Sequence, residues 1–183
     1  MRTTLLTLSP AALLLLASTG TALAAGSSSN AMITIEANIV TATCDVSVTD
    51  RLNLGNHRKD VFTVANSFID TTAQSFDVRI SNCEEPLAEG DTASLRIAGS
   101  TLSGGDNNIF NTNNRSNIGV MVKHNGTILQ SGDHIPVGTA GSTPVIGDFE
   151  KSIPLSVALA TNNISAIANE NISVPITFSF IYN

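Results

Sequence analysis

The tightest constraint on this chain is a two-residue rhythm. In segment after segment apolar and polar residues alternate, which is the period of a strand with one buried face. Ile33, Ile35, Ala37 and Ile39 fall on one side of such a segment, and Thr34, Glu36 and Asn38 on the other. Val46 and Val48 follow, then Leu52 and Leu54 ahead of a Gly55-Asn56 turn signal, then Phe76, Val78 and Ile80. Leu95 and Ile97 continue the pattern, as do Ile118, Val120 and Val122, and Ile153, Leu155, Val157 and Leu159. The last segment carries Val174, Ile176, Phe178, Phe180 and Tyr182. About eight strands separated by turn signals predict an all-β antiparallel sandwich. The connections are rich in breakers, among them Gly104-Gly105-Asp106-Asn107-Asn108, Asn125-Gly126 and the stretch 138–147. Pro175 sits inside the last strand signal, where a missing N–H is tolerated only at a strand start or on an unpaired flank.

The start of the sequence sets the compartment. Arg2 precedes an apolar stretch through Leu13, Leu14, Leu15 and Leu16 that ends in Ala22-Leu23-Ala24, the pattern of a secretory signal peptide over residues 1–24. That run is too short to span a bilayer. The remaining 159 of the 183 residues suit one domain with a real core. The net charge is −6, and losing Arg2 makes the exported chain one unit more acidic, which argues against nucleic acid and against anionic membrane surfaces. No membrane insertion is expected. Cys44 and Cys83 are the two cysteines of a chain addressed to an oxidising compartment, so a single disulfide between them is expected. Closing a loop of about 40 residues is worth roughly 4 kcal/mol in the chain-entropy picture.

Catalytic chemistry has no foothold. His57, His124 and His134 are scattered with no acid or nucleophile in a recognisable pattern and read as solvated loop histidines. They are too few and too widely spaced for a metal centre, and no Gly-x-Ser-x-Gly, phosphate loop or Cys-x-x-Cys occurs. Neither cofactor, metal nor enzymatic activity is expected. The sequons beginning at Asn114, Asn125, Asn163 and Asn171 are unremarkable in a chain so rich in Asn, Ser and Thr, and carry no assigned role.

The two ends hold the functional information. A flexible Ala25-Gly26-Ser27-Ser28-Ser29-Asn30 leads directly into an alternating apolar arm, Ala31, Ile33, Ile35, Ala37 and Ile39, ahead of Cys44. The sequence then closes in mid-strand, with Phe178, Phe180 and Tyr182 alternating up to Asn183. The arm, the Leu52-Asn53-Leu54-Gly55 segment, the strand from Phe76 to Cys83 and the C-terminal strand with penultimate Tyr182 together resemble the pilins of chaperone and usher fibres, in particular minor subunits of type 1 fimbriae. The likeness extends over nearly the whole exported chain. Two positions depart from it: Ala37 and Glu170 stand where such pilins usually carry glycine.

The resemblance implies an incomplete immunoglobulin-like sandwich that lacks its last strand, with residues 25–43 as a donor-strand arm and start of the first strand, and residues 44–183 as the pilin domain. Ala31, Ile33, Ile35, Ala37 and Ile39 would be the donor residues. Ile176, Phe178, Phe180, Tyr182 and Asn183 would line the acceptor groove along the C-terminal strand. The implied partners are a periplasmic pilus chaperone, an outer-membrane usher and neighbouring pilin subunits, with passage through the periplasm to a cell-surface fimbrium that contributes to adhesion. Strand addition of this kind is itself a standard example of peptide recognition by a sheet edge. The isoleucines of the arm alone would contribute several kcal/mol, at about 1.5–3 kcal/mol for each large side chain buried, so an isolated subunit is expected to be aggregation-prone or unfolded. The competing expectation is a secreted immunoglobulin-like module that binds glycan or a host protein through its loops, although Trp is absent and the one Tyr is at the end.

Overall fold

A computed structural model describes residues 30–37, 44–83, 89–103, 107–141 and 149–182. Ten strands and three short 3-10 turns are present among them, and no α-helix. The strands are β1 (Asn30–Ala37), β2 (Asp45–Val48), β3 (Arg51–Asn56), β4 (Gln74–Ser81), β5 (Thr92–Ala98), β6 (Ile118–His124), β7 (Thr127–Leu129), β8 (His134–Thr139), β9 (Lys151–Thr161) and β10 (Ile172–Tyr182). They form two five-stranded sheets. One has the order β3-β1-β10-β5-β8, the other β2-β4-β9-β6-β7. The signal peptide expected over 1–24 lies outside the described residues.

The alternation read from the sequence becomes the core between the sheets. Phe76, Val78 and Ile80 of β4 and Ile153, Leu155, Val157 and Leu159 of β9 face Leu95 and Ile97 of β5 and the row Ile172, Val174, Ile176, Phe178 and Phe180 of β10. All of these are buried. Phe76 and Phe178 meet across the interior with ring centroids 6.1 Å apart.

Strand prolines sit where a ladder has ended on one side, as their missing N–H demands. Pro175 precedes the first β10–β5 pair, Thr177 with Ala98. Pro154 lies beyond the last β9–β6 pair, Ser156 with Lys123. Pro136 is in β8, which pairs only with β5.

Ten strands replace the eight expected. The additions are β7 and β8. Asn125 and Gly126 have φ of 48° and 83°, so a two-residue turn with both central residues in the left-handed region joins β6 to β7, the geometry that matches the twist of a hairpin. In β8, Ile135 and Val137 alternate inward, but Pro136 and Gly138 between and beyond them mask the strand signal.

A second apolar cluster covers the outer face of the β9/β6 sheet, made by Phe68, Leu102, Ile109, Met121, Ala158 and Ala160. Two connections build it. The stretch before β4 runs along β9 beyond the reach of β4: Asn66 N donates to Thr161 O at 2.7 Å and Ile69 N to Leu159 O at 3.2 Å. Thr72 closes that stretch, donating to Ile69 O and accepting from Leu159 N, both at 2.9 Å. The second connection brings Phe110 against β6, where Phe110 N donates to Val120 O at 2.8 Å and Val120 N to Phe110 O at 3.0 Å. Gly119 is required by this approach, since a Cβ there would lie 2.5 Å from Phe110 O.

Candidate functional site

Strands β3 and β10 belong to one sheet, yet nothing within the described part of residues 44–182 joins them. The strand between them is β1, the N-terminal arm. It runs antiparallel to β3, from Asn30 opposite Asn56 to Thr34 opposite Arg51. Against β10 it runs parallel, with Ala31, Ile33, Ile35 and Ala37 opposite Ile172, Val174, Ile176 and Phe178. The pairing with β3 shifts by one residue between Ala31 and Met32. There Gly55, at φ 85°, accommodates the bulge, and its N–H is taken by Asn53 Oδ1 at 2.8 Å.

On the body side, β10 is the wall of the groove. It is fixed from its other flank by β5, through the pairs from Thr177 with Ala98 to Tyr182 with Ala93. Phe178 is 0% exposed and stands between Ala37 and Ile97 in register. Beyond it Phe180 and Tyr182 meet edge to face, with centroids 4.8 Å apart. Leu54 of β3, also buried, borders the groove on the far side.

The expected disulfide joins Cys44 to Cys83. Its position matters more than its presence. Cys44 immediately precedes β2 and bonds to Cys83, two residues past the end of β4, and its Sγ lies 3.6 Å from Tyr182 Oη. Because the sulfur is in a disulfide and has no hydrogen, the phenol donates. Cys44 is therefore held at the C-terminal end of β10.

The other end of the groove is a pocket. Phe62, Ile118, Leu159, Ile167 and Ile172 supply apolar lining, and His57, Lys59 and Glu170 supply charge or polarity. Glu170, one of the two departures from the pilin pattern, accepts from Ser116 Oγ at 2.7 Å. His57 lies in the loop after β3, half-buried, and its Nε2 donates to Leu54 O at 2.6 Å. His124 and His134, expected in loops, instead end β6 and start β8, and the exposed His134 has its Nδ1 3.0 Å from Ser94 Oγ.

Of the donor residues read from the sequence, Ala31, Ile33, Ile35 and Ala37 lie in β1, and Ile39 lies outside the described residues. Of the groove residues, Ile176, Phe178 and Phe180 are buried in β10, Tyr182 is half-buried, and Asn183 lies outside the described residues. The sequence reading missed the pocket, whose lining comes from segments scattered between Gly55 and Ile172. It also left open whether the arm is free. Here the arm is seated in its own body, so the groove of the lone chain is covered. Among the described residues no group of three or more His, Cys, Asp or Glu is placed to hold a metal ion.

No protein-family model matches the chain, and no curated protein matches it significantly. Solved structures do. The crystal structure of the P pilus rod subunit PapA superposes with a TM-score of 0.54 at 15% identity, over 78% of this chain and 100% of that one. A chaperone–usher pilus structure that explains rod uncoiling superposes with a TM-score of 0.54 at 13% identity, over 81% of this chain and 92% of that one. The two-sheet sandwich thus shares its overall fold with these pilus subunits.

Proposed function

We propose that this protein is a structural subunit of a bacterial surface fibre, joined to its neighbours by donor-strand exchange. One observation carries the reading: the described part of residues 44–182 leaves a strand-wide gap between β3 and β10, and an N-terminal arm is what fills it. Open edges with unsatisfied N–H and C=O groups are what proteins conceal, so a body with this gap needs a strand from somewhere. In the fibre the arm of one subunit, Ala31 to Ile39, occupies the groove of the next along Ile176, Phe178, Phe180 and Tyr182. A periplasmic chaperone and an outer-membrane usher are the partners that would hold and deliver such a subunit, by way of a cleaved 1–24 leader. The role is assembly and adhesion, with no catalysis.

The arm's exit and the groove's pocketed foot lie at opposite ends of β10, so arm-to-groove contact is heterologous. Contacts of that kind extend into open filaments when the rotation does not close. The test is the exported chain, residues 25–183, concentrated and briefly exposed to sub-denaturing urea, then followed by light scattering and electron microscopy. Oligomers in integer multiples of the subunit, growing into fibres and lost in Ile33→Asp/Ile35→Asp, are expected. A chain that stays monomeric throughout contradicts the proposal.

A further inference from the structure

A sheet can gain a strand along its outer edges as well as in a gap inside it. Among the described residues four strands bound the two sheets: β3 and β8 in one, β2 and β7 in the other. The last two are four and three residues long, and edges that short give an incoming strand little to pair with. β3 and β8 have six residues each, so they are the edges that a second chain could extend.

Both carry the same interruption. In β3, Ala31 pairs with Gly55 and Met32 with Asn53, which leaves Leu54 as an extra residue. In β8, Ala93 pairs with Gly138 and Ser94 with Pro136, which leaves Val137 extra. Leu54 and Val137 are each 4% exposed, so both bulges turn an apolar side chain inward. Each also has its carbonyl oxygen taken by a basic side chain from outside the strand. His57 Nε2 donates to Leu54 O at 2.6 Å, and Lys151 Nζ donates to Val137 O.

A bulge bends and twists an edge away from the line that a pairing strand would follow. The bonded side chain then competes with any incoming N–H for the same oxygen. Neighbouring backbone groups are withdrawn as well: Gln74 Nε2 donates to Asn53 O at 2.9 Å, and Gly55 N donates to Asn53 Oδ1 at 2.8 Å. On the other edge Pro136 has no N–H to offer. Gln74 and Lys151 are exposed, with water at hand for their polar ends, so their own solvation does not require these bonds.

We propose that His57, Gln74 and Lys151 are edge guards, which close β3 and β8 to a second copy of this chain and leave the gap between β3 and β10 as the one long place for a strand. The closure stands on the bulges and their bonded carbonyls. Only its use, keeping subunits from joining sideways as they join end to end, rests on the fibre reading above.

The experiment opens one edge at a time in the exported chain, without denaturant. Pro136→Val/Lys151→Met opens β8, at two exposed positions, and Gln74→Val/His57→Leu opens β3. Sedimentation measures self-association, and hydrogen exchange read by mass spectrometry locates the contact. Each opened variant is expected to self-associate about ten-fold more tightly than the parent, equivalent to about 1.4 kcal/mol. New protection is expected over His134–Thr139 in the first and Arg51–Asn56 in the second, while Lys151→Arg, which keeps the donor, behaves as the parent. Should a double variant lose its native circular dichroism, the single variants Pro136→Val and Gln74→Val are read by the same criteria. Opened variants that stay as monomeric as the parent overturn the proposal. Association that changes exchange in β1 and β10, with none gained at the opened edge, also overturns it and leaves the fibre reading intact. Edge-located association in the variants, from a parent that forms no fibres after brief exposure to urea, supports the guards and overturns the fibre reading.

Discussion

Replacing Phe178 by alanine removes the side chain on which the groove wall depends. It is fully buried, flanked in register by Ala37 and Ile97, and set against Phe76 at 6.1 Å. Truncating a buried phenylalanine costs about 3–5 kcal/mol when the surroundings cannot collapse, and here the flanking strands on both sides hold the cavity open. That is a large part of a total stability of about 5–15 kcal/mol. For a chain of this size it corresponds to a fall in Tm of roughly 6–20 °C, at about 2–4 °C per kcal/mol. The assay is urea unfolding followed by circular dichroism, where the midpoint should drop with an unchanged slope. Phe76→Ala and the double variant complete a cycle with a coupling of about 0.5–1.5 kcal/mol for the tilted ring pair. A loss below about 1 kcal/mol, the size of an unexceptional substitution, would refute the claim that this residue anchors the interior side of the groove.

Three further outcomes follow from single contacts. Gly119→Val should cost more than about 1–3 kcal/mol, the usual price of overpacking, because its Cβ would meet the Phe110 carbonyl oxygen at 2.5 Å and Ile109 Cγ2 at 2.7 Å; differential scanning calorimetry reads it. Thr72→Val keeps the shape but leaves the buried Leu159 N–H without its acceptor, so a loss of about 1–3 kcal/mol is expected in chemical unfolding. The double variant Cys44→Ala/Cys83→Ala opens a crosslink spanning 39 positions and should lower stability by about 2–5 kcal/mol, measured against the oxidised parent in the same buffer.

Much of this architecture can be read directly from the residues, because a half-buried strand writes its own period. The inward row of β10, Ile172 to Phe180, is as plain in the sequence as in the fold. So is the pairing of the cysteines, since only one is possible. The strand β8 escaped because Pro136 and Gly138 break its propensity while tertiary pairing with β5 overrides it. The 66–72 segment escaped for a different reason: its bonds to β9 are made by irregular backbone and one hydroxyl, which leave no periodic trace. The pocket at the foot of the groove gathers side chains from distant segments, and only the folded topology brings them together. The arm's direction was hidden most deeply. Its alternation marks it as a strand, but alternation alone does not say which way a strand runs beside β10.

The central claim is that the body of this protein is one strand short of a sheet and that residues of the arm type complete it. Residues 44–183, prepared with and without a synthetic peptide of residues 25–43, test it by equilibrium thermal unfolding. The body alone should aggregate or melt well below the exported chain, and peptide should raise its Tm with concentration, adding about 2.7 kcal/mol at a hundredfold excess over Kd. An arm-less body that melts reversibly at the temperature of the exported chain, indifferent to peptide, would contradict the account.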